Sequence, residues 1–372
     1  MTLRSPLDGS ALQADTAYSL RDGSGTRWPV VDDIPYLRTG REDLISDVLH
    51  RLDRGDGLGA QVELLRDADD WWDGAPPDRA DVRHLLEHRD VLSLRDAMIA
   101  LGYGRVGDYF AHRWTDPTFV AGLSLIEAHW RRPQRMFELA CGIGQYLREL
   151  RARGCPSCLG ADVVFSKLWL ARHYLLGTEA SLVCFDAASP WPIAGQQFDL
   201  VLCQDAFYFL DPKPAIAARL KAATDAGGTL LIGHIHNSEA ANHSAGTGLT
   251  AAELDTLFPQ ALAYDDAELS KALLEQRRPE ARPTAALRNV DAFALAHGPS
   301  GALPVEFRLA GPKVRRNPLY EATADGWRIA WPSERYAAEY GPLATYPVHD
   351  IEREVSSESL RRRIHVDLPE RW

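Results

Sequence analysis

The stretch Glu138-Leu139-Ala140-Cys141-Gly142-Ile143-Gly144 has the residue types for ligand chemistry. Its pattern closes an apolar strand and opens a helix. Glycines at such a junction let the backbone approach a ligand, and the helix start offers free N–H donors. Leu147 stands where a dinucleotide fingerprint needs its third glycine. Glu138, just before the loop, repels a pyrophosphate. It suits instead a ligand with positive charge and an amino acid moiety. More carboxylates follow at the tips of later strands. Asp162, in Gly160-Ala161-Asp162, can accept both hydroxyls of a ribose. Asp186, in Phe185-Asp186-Ala187, can accept from the exocyclic amine of adenine, with apolar neighbours flanking the base. A fourth strand leads into Gln204-Asp205-Ala206-Phe207-Tyr208, and a fifth ends in His234-Ile235-His236-Asn237, with Asn242-His243 beyond. Alternation puts His234 and His236 on one face, where an imidazole could deprotonate a hydroxyl, carboxyl or amine.

Positioning these groups requires a sheet. Strand patterns span Met136–Ala140, Leu159–Val163, Leu182–Asp186, Asp199–Cys203 and Thr229–Ile235. Helical patterns span Tyr146–Arg153, Lys167–Leu176 and Pro214–Ala223. The alternation predicts a parallel sheet covered on both faces, the doubly wound α/β class. A helix at Ala251–Phe258 and a strand at Ala292–Ala296 extend this core domain, 133–300. Before it, residues 1–40 read as a small module of short strands and turns. Residues 41–132 read as a helical segment, with Leu44, Ile45, Val48, Leu49 and Leu52 on one face and Asp116-Pro117 as a helix start. Residues 301–372 are too apolar for a disordered tail and predict an ordered extension.

Taken together, ELACGIG, GAD, FDA, the Trp191-Pro192 turn, FDLVLCQDAFYFL and GGTLLIG resemble the class I S-adenosylmethionine-dependent methyltransferases over about residues 135–235. Ala140 replaces the first glycine of the usual loop, and Glu138 stands where Asp is common. The resemblance implies a seven-stranded Rossmann-like sheet and S-adenosylmethionine as cofactor. It implies cofactor contacts from Glu138, Ala140, Gly142 and Gly144 at the methionine end, Asp162 at the ribose, Asp186 and Ala187 at adenine, and Gln204 beneath the loop. The expected reaction is methyl transfer to O or N of a small organic molecule, a secondary metabolite in natural product biosynthesis. A peptide or protein acceptor, or a catalytically idle binding or activating subunit, is the alternative. The candidate catalytic residues are His234, His236 and Tyr208. The candidate acceptor wall is Tyr109, Phe207, Tyr208 and His234. Nothing in the sequence calls for a metal.

The N-terminus carries a second resemblance. Ser5-Pro6-Leu7-Asp8 and Ser24-Gly25-Thr26-Arg27-Trp28-Pro29-Val30-Val31-Asp32-Asp33-Ile34-Pro35 are similar to the small zinc-ribbon proteins that activate methyltransferases. The four cysteine positions read Ser5, Asp8, Arg21 and Ser24 here, which cannot form a thiolate zinc site. The expectation is a metal-free ribbon held by Trp28, Val30 and Ile34. His84-Leu85-Leu86-Glu87-His88 matches an inverted zinc-peptidase signature, but an exposed polar helix face explains it. Cys155-Pro156-Ser157-Cys158 reads as a reduced surface turn. With 41 Lys+Arg against 52 Asp+Glu, the net charge of −11 disfavours nucleic acid and anionic membranes as partners. No apolar run approaches a membrane span, and MTLRSPLDGS lacks the core of a signal peptide, so a cytoplasmic location is expected. The oligomeric state is left open.

Overall fold

The computed structural model describes residues 2–68, 74–240, 246–309, 313–324, 326–347 and 354–372. His243 therefore lies outside the described residues. Four short strands come first: β1 (Gln13–Thr16), β2 (Ser19–Arg21), β3 (Arg27–Val31) and β4 (Ile34–Pro35) form an antiparallel sheet in that order. Within this module the Asp22 carboxylate gathers five donors. Its Oδ1 accepts from the Ser24 and Thr26 N–H groups at 3.1 and 2.8 Å and from the Ser24 hydroxyl at 2.7 Å. Its Oδ2 accepts from the Ser5 hydroxyl at 2.9 Å and the Trp28 indole at 3.3 Å. Asp8 pairs locally with Ser10, and Arg21 with Asp15. Trp28 and Ile34 are buried as expected, but Val31 fills the interior while Val30 stays half-buried.

Six helices follow: α1 (Glu42–Asp53), α2 (Gly57–Leu65), α3 (Arg79–His88), α4 (Leu94–Ala100), α5 (Gly104–His112) and α6 (Pro117–Ala128). Asp116 caps α6, its side chain accepting from Phe119 N, and Pro117 sits at the first turn. Every residue of α6 is buried, which suits its run of apolar and small side chains.

The central sheet uses β5 (Arg135–Leu139), β6 (Ser157–Asp162), β7 (Ser181–Cys184), β8 (Phe198–Gln204), β9 (Thr224–His236), β10 (Leu262–Asp265) and β11 (Ala292–His297). Its order is β10-β11-β9-β8-β5-β6-β7. The pairs among β7, β6, β5, β8 and β9 are parallel, while β11 and β10 join antiparallel. This is the doubly wound seven-stranded sheet expected, with α7 (Gln145–Ala152), α8 (Phe165–Leu170), α9 (Lys213–Ala223), α10 (Ala251–Leu257) and α11 (Asp266–Glu275) between strands. The N-terminal module docks at the β7 edge: Leu37 N donates to Cys184 O at 2.8 Å, and Tyr36 bridges Cys184 in parallel. Such docking covers an edge that would otherwise offer unpaired backbone.

After β11 come β12 (Val314–Arg316), β13 (Tyr320–Thr323), β14 (Gly326–Ile329), α12 (Glu334–Tyr340), α13 (Ser357–Arg361) and β15 (His365–Asp367). Strand β12 pairs β15, and β13 pairs β14. A separate core of Leu319, Tyr320, Tyr336, Tyr340, Tyr346 and Ile364 holds this part together. Two of its groups reach the backbone at the end of α5: Tyr336 Oη donates to His112 O at 3.4 Å, and Trp372 Nε1 to Ala111 O at 2.7 Å. No described helix is long and apolar enough to cross a membrane.

Removing the Asp22 carboxylate leaves buried hydroxyl and indole donors unpaired. Asp22→Ala should lower stability by about 2 kcal/mol or more, read as a lower thermal midpoint and earlier proteolysis within residues 1–40. Burial pushes the Asp22 pKa up, but the donors from Ser24, Ser5, Trp28 and Thr26 outweigh it and hold the value below the usual aspartate range. Its contribution is therefore present above the unfolded pKa and fades as pH falls through the lowered folded value. A variant as stable as the parent at neutral pH would remove Asp22 from this role.

Candidate active site

Strand β5 ends at Glu138-Leu139, and the chain then turns through Ala140, Gly142 and Gly144 with φ of +55°, +56° and +83°. The left-handed backbone explains the glycines and shows that Ala140 accepts the same strain. Cys141 N donates to Ala161 O at 2.9 Å, fixing the loop against β6. Asp162 joins the same cradle. Its Oδ2 accepts from Gly142 N and its Oδ1 from Val164 N, each at 2.9 Å, and Lys167 Nζ lies 3.7 Å away.

Buried polar atoms test whether S-adenosylmethionine fits this cradle. Glu138 Oε2 and Gln204 Nε2 have no hydrogen-bond partner among the described residues. Burial, and then the Asp162 charge, push the Glu138 carboxyl well above the usual glutamate range. An ammonium group beside it would restore its charge and its hydrogen bond. The donor set therefore fits the methionine end of the cofactor. Gln204 stands at the end of β8, two residues past Leu202, the partner of Glu138, and its Oε1 sits 1.9 Å from where a Cβ on Gly233 of β9 would stand. Asp186 lies two residues past β7 and accepts from Ala188 N at 2.8 Å. Ala187 is buried, its carbonyl held by Trp191 and Arg219.

A second polar group gathers at the carboxyl ends of β8 and β9. Gln204 pairs with Gly233 in register, so Asp205 and His234 emerge side by side. Both take left-handed backbone, with φ of +51° and +50°. The strain overrides simple alternation and still brings His234 and His236 together, Nε2 to Nε2, at 3.2 Å. His234 Nε2 is 3.8 Å from Asp205 Oδ1, and its Nδ1 is 2.6 Å from Asp266 Oδ2. Asp266 opens α11 directly after β10, whose last residue, Asp265, pairs with Phe293 of β11, itself paired with Ile235 of β9. Tyr208 Oη donates to Asp205 Oδ1 at 2.8 Å, and its ring stacks on His236 at 3.9 Å between centroids.

Asp205 is also held from the other side. Arg113 Nη1 lies 3.0 Å from its Oδ2, and the Tyr109 hydroxyl donates to the same oxygen. Burial raises the Asp205 pKa, but Arg113 and His234 outweigh it, and the carboxyl stays ionised below the usual range. For His234, burial favours the neutral ring, yet Asp205 and Asp266 lift it to about 9. Burial, and then the His234 charge, depress His236 to about 4. The two rings are thus pushed in opposite directions, His234 toward the charged form and His236 toward the neutral one.

Helix α5 spans both groups. Tyr109 reaches Asp205, and the next residue, Phe110, lies 3.1 Å from the position of a Cβ on Gly142. Tyr340 of the C-terminal core stacks on Tyr109 at 6.5 Å. Phe207 packs edge-on against Phe258 at 5.8 Å between ring centroids. Arg113, Asp205 and Asp266 were not singled out from the sequence. Asp205 stood inside the strand-four motif and was legible there. Asp266 and Arg113 arrive from distant elements with no local signal.

Other motifs resolve differently. The His84 and His88 rings lie tilted, 4.2 Å apart between centroids, on an exposed helix face, and His88 Nδ1 faces the His84 carbonyl at 2.9 Å. Cys155 and Cys158 are buried, which corrects the expected surface turn, because β6 begins inside the CxxC and draws both thiols into the core.

Residues 137–232 match a family profile described as a methyltransferase domain. No curated protein matches the chain. Among solved structures, a chain from the complex between the Haloferax volcanii Trm112 methyltransferase activator and the putative methyltransferase is 17% identical. That likeness covers 58% of this chain and 99% of the other, with a TM-score of 0.40. The plantazolicin methyltransferase BamL, solved with a triazolic desmethylPZN analog and SAH, is 16% identical over 55% of this chain and 92% of its own, with a TM-score of 0.38. A Haemonchus contortus phosphoethanolamine N-methyltransferase 2, solved with S-adenosyl-L-methionine, is 15% identical over 56% and 61%, with a TM-score of 0.40. Likenesses this distant say nothing about the acceptor.

If Asp162 holds the ribose, as the resemblance implies, Asp162→Ala should weaken S-adenosylmethionine binding at least about tenfold through lost charge-assisted hydrogen bonds. Calorimetry on a variant whose thermal unfolding remains cooperative checks this. Asp162→Asn, which keeps an acceptor for Gly142 N, separates the loss of charge from a collapsed loop.

Proposed function

We propose that this class I, S-adenosylmethionine-dependent methyltransferase passes its methyl group to an oxygen or nitrogen of a small organic acceptor. The acceptor is held over the carboxyl ends of β8 and β9, among Tyr208, His234 and His236. The observation that carries this reading is the pair of consecutive residues on α5. Tyr109 touches the polar cluster and Phe110 covers the glycine loop, so the two halves of the site adjoin. The bound cofactor supplies an electrophilic methyl on sulfonium, so the chain's own task is alignment, exclusion of water and removal of the acceptor's proton.

Glu138, Gly142, Gly144 and Asp162 bind the cofactor's methionine and ribose in this reading, with Asp186 and Ala187 at adenine. Ala140 gives the loop its turn, and Gln204 supports it from beneath. Tyr208, His234 and His236 face the acceptor's reacting atom and promote loss of its proton. Tyr109 and Tyr340 roof that position and keep water out. Enclosure favours a small molecule over a protein side chain: the Asp205 side chain is 6% exposed and His236 7%. Intact strand-tip acids disfavour an idle cofactor-fold subunit, which has no need of them.

The experiment is incubation of the purified chain with methyl-labelled cofactor and small-molecule extracts, followed by mass spectrometry. One labelled acceptor below peptide size is the expected result. Label on a peptide or protein would move the acceptor to that class, and no label with saturating cofactor would favour a binding subunit. Once the acceptor is known, His234→Ala or His236→Ala should lower turnover by about 100-fold or more, with cofactor affinity intact by calorimetry. Full turnover in both would leave alignment alone, or Tyr208, as the chain's contribution.

A further inference from the structure

Among the described residues, Asp205, His234 and His236 are the one group of three whose donor atoms converge as a cation's ligands do, all within 4.8 Å of one another. We infer that this group is a divalent-cation site of the zinc class, and that it holds the hydroxyl oxygen of the methyl acceptor. The inference rests on the proposed methyl transfer and narrows its acceptor to a hydroxyl-bearing molecule.

The geometry supports it in four ways. Two zinc–nitrogen bonds of about 2.0–2.1 Å at a tetrahedral angle place their nitrogens about 3.3 Å apart. The Nε2 atoms of His234 and His236 are 3.2 Å apart. Asp205 presents Oδ1 to that pair, 3.8 Å from His234 Nε2, while Arg113 occupies Oδ2. Small rotations bring the carboxylate into bonding range. His234 is oriented from behind by Asp266, 2.6 Å from its Nδ1, the carboxylate–histidine arrangement that fixes the tautomer and raises ligand basicity at metal centres. Finally, Asp205 and His234 both hold left-handed φ, a strain the fold keeps at the two positions that aim the donors.

Three protein donors leave one tetrahedral position open, the pattern of a working rather than a structural site. Two nitrogens and one oxygen suit zinc, manganese or cobalt. Methyl transfer from a sulfonium needs no electron transfer, so a redox-inactive cation suffices. The acceptor's hydroxyl fills the open position and sheds its proton to water. The oxygen's lone pair then forms the bond to the methyl carbon as the carbon–sulfur bond breaks, and that bonding pair stays on sulfur. Asp205 and Asp266 bring two negative charges to balance the cation, and Arg113 is the cation already present.

The test uses the full chain, stripped with a chelator and titrated with zinc chloride by calorimetry and native mass spectrometry. One equivalent is expected. Cobalt(II) in its place should give the intense visible bands of a four-coordinate site. His236→Ala and His234→Ala should abolish that equivalent and its bands. Asp266→Asn, which touches the cation only through His234, should weaken binding by about 10–100-fold. Zinc should raise the thermal midpoint of the parent and of a surface variant such as His84→Ala, but not of His236→Ala. Absence of stoichiometric binding, or binding indifferent to His234 and His236, would overturn the inference. Methyl-labelled product from the stripped chain at full rate would overturn it too while leaving the methyltransferase reading standing. A stripped chain that neither binds S-adenosylmethionine nor labels any acceptor, yet binds zinc at these residues, would sink that reading instead.

Discussion

A buried carboxylate stays charged only where the fold surrounds it with donors. Asp205 is such a group, and much of the molecule is arranged around it. Arg113 comes from the turn between α5 and α6, Tyr109 from α5, Tyr208 from the turn after β8, and His234 from the end of β9. Arg113 is itself buried, so it needs Asp116, which caps α6 and lies 3.2 Å away. Asp116, strongly buried, is pushed up by desolvation and drawn back by Arg113 and the Phe119 N–H. A helix cap, a helix–helix turn and two strand ends are thereby tied to one charge. Removing Arg113 would leave both Asp205 and Asp116 without their shared counter-ion.

The cofactor half of the site was legible in the sequence because it is local. The strand, the Ala140–Gly144 turn and the helix after it are consecutive, and Glu138 and Asp162 sit at strand tips where register places them together. The five parallel strands were legible for the same reason, as apolar runs between helical patterns. The third strand stops at Cys184, short of the Asp186 expected from its pattern. Its final carbonyl is taken by Leu37 of the N-terminal module, a contact from a distant part of the chain. The histidines were visible from alternation, yet a left-handed residue intervenes where alternation assumes extended backbone. Their approach to Asp205 follows from β8–β9 register, and to Asp266 from an antiparallel pair at the far side of the sheet. Neither relation has a sequence period to reveal it.

The last part of the chain acts through α5. Its tyrosine core would be marginal alone, with few buried apolar groups for its length. Tyr336, Tyr340 and Trp372 rest on that helix, and Arg371 Nη2 reaches the His173 carbonyl beyond α8 at 2.7 Å. Helix α5 is thus held from outside by the tail and from inside by Asp205 and the glycine loop. An element with anchors on both faces has few positions available, and those positions decide what space is left for ligands.

The Asp22 hub has a consequence for the conditions this chain tolerates. A ribbon knit by zinc thiolates loses its shape when the metal is chelated, and its sulfurs are open to oxidation. Residues 2–40 hold no cysteine, and the knot that joins Ser5, Ser24, Thr26 and Trp28 is made of oxygen and nitrogen alone. Peroxide has no thiol to attack there, so the shape of the segment that covers the sheet edge does not depend on the redox state of any sulfur.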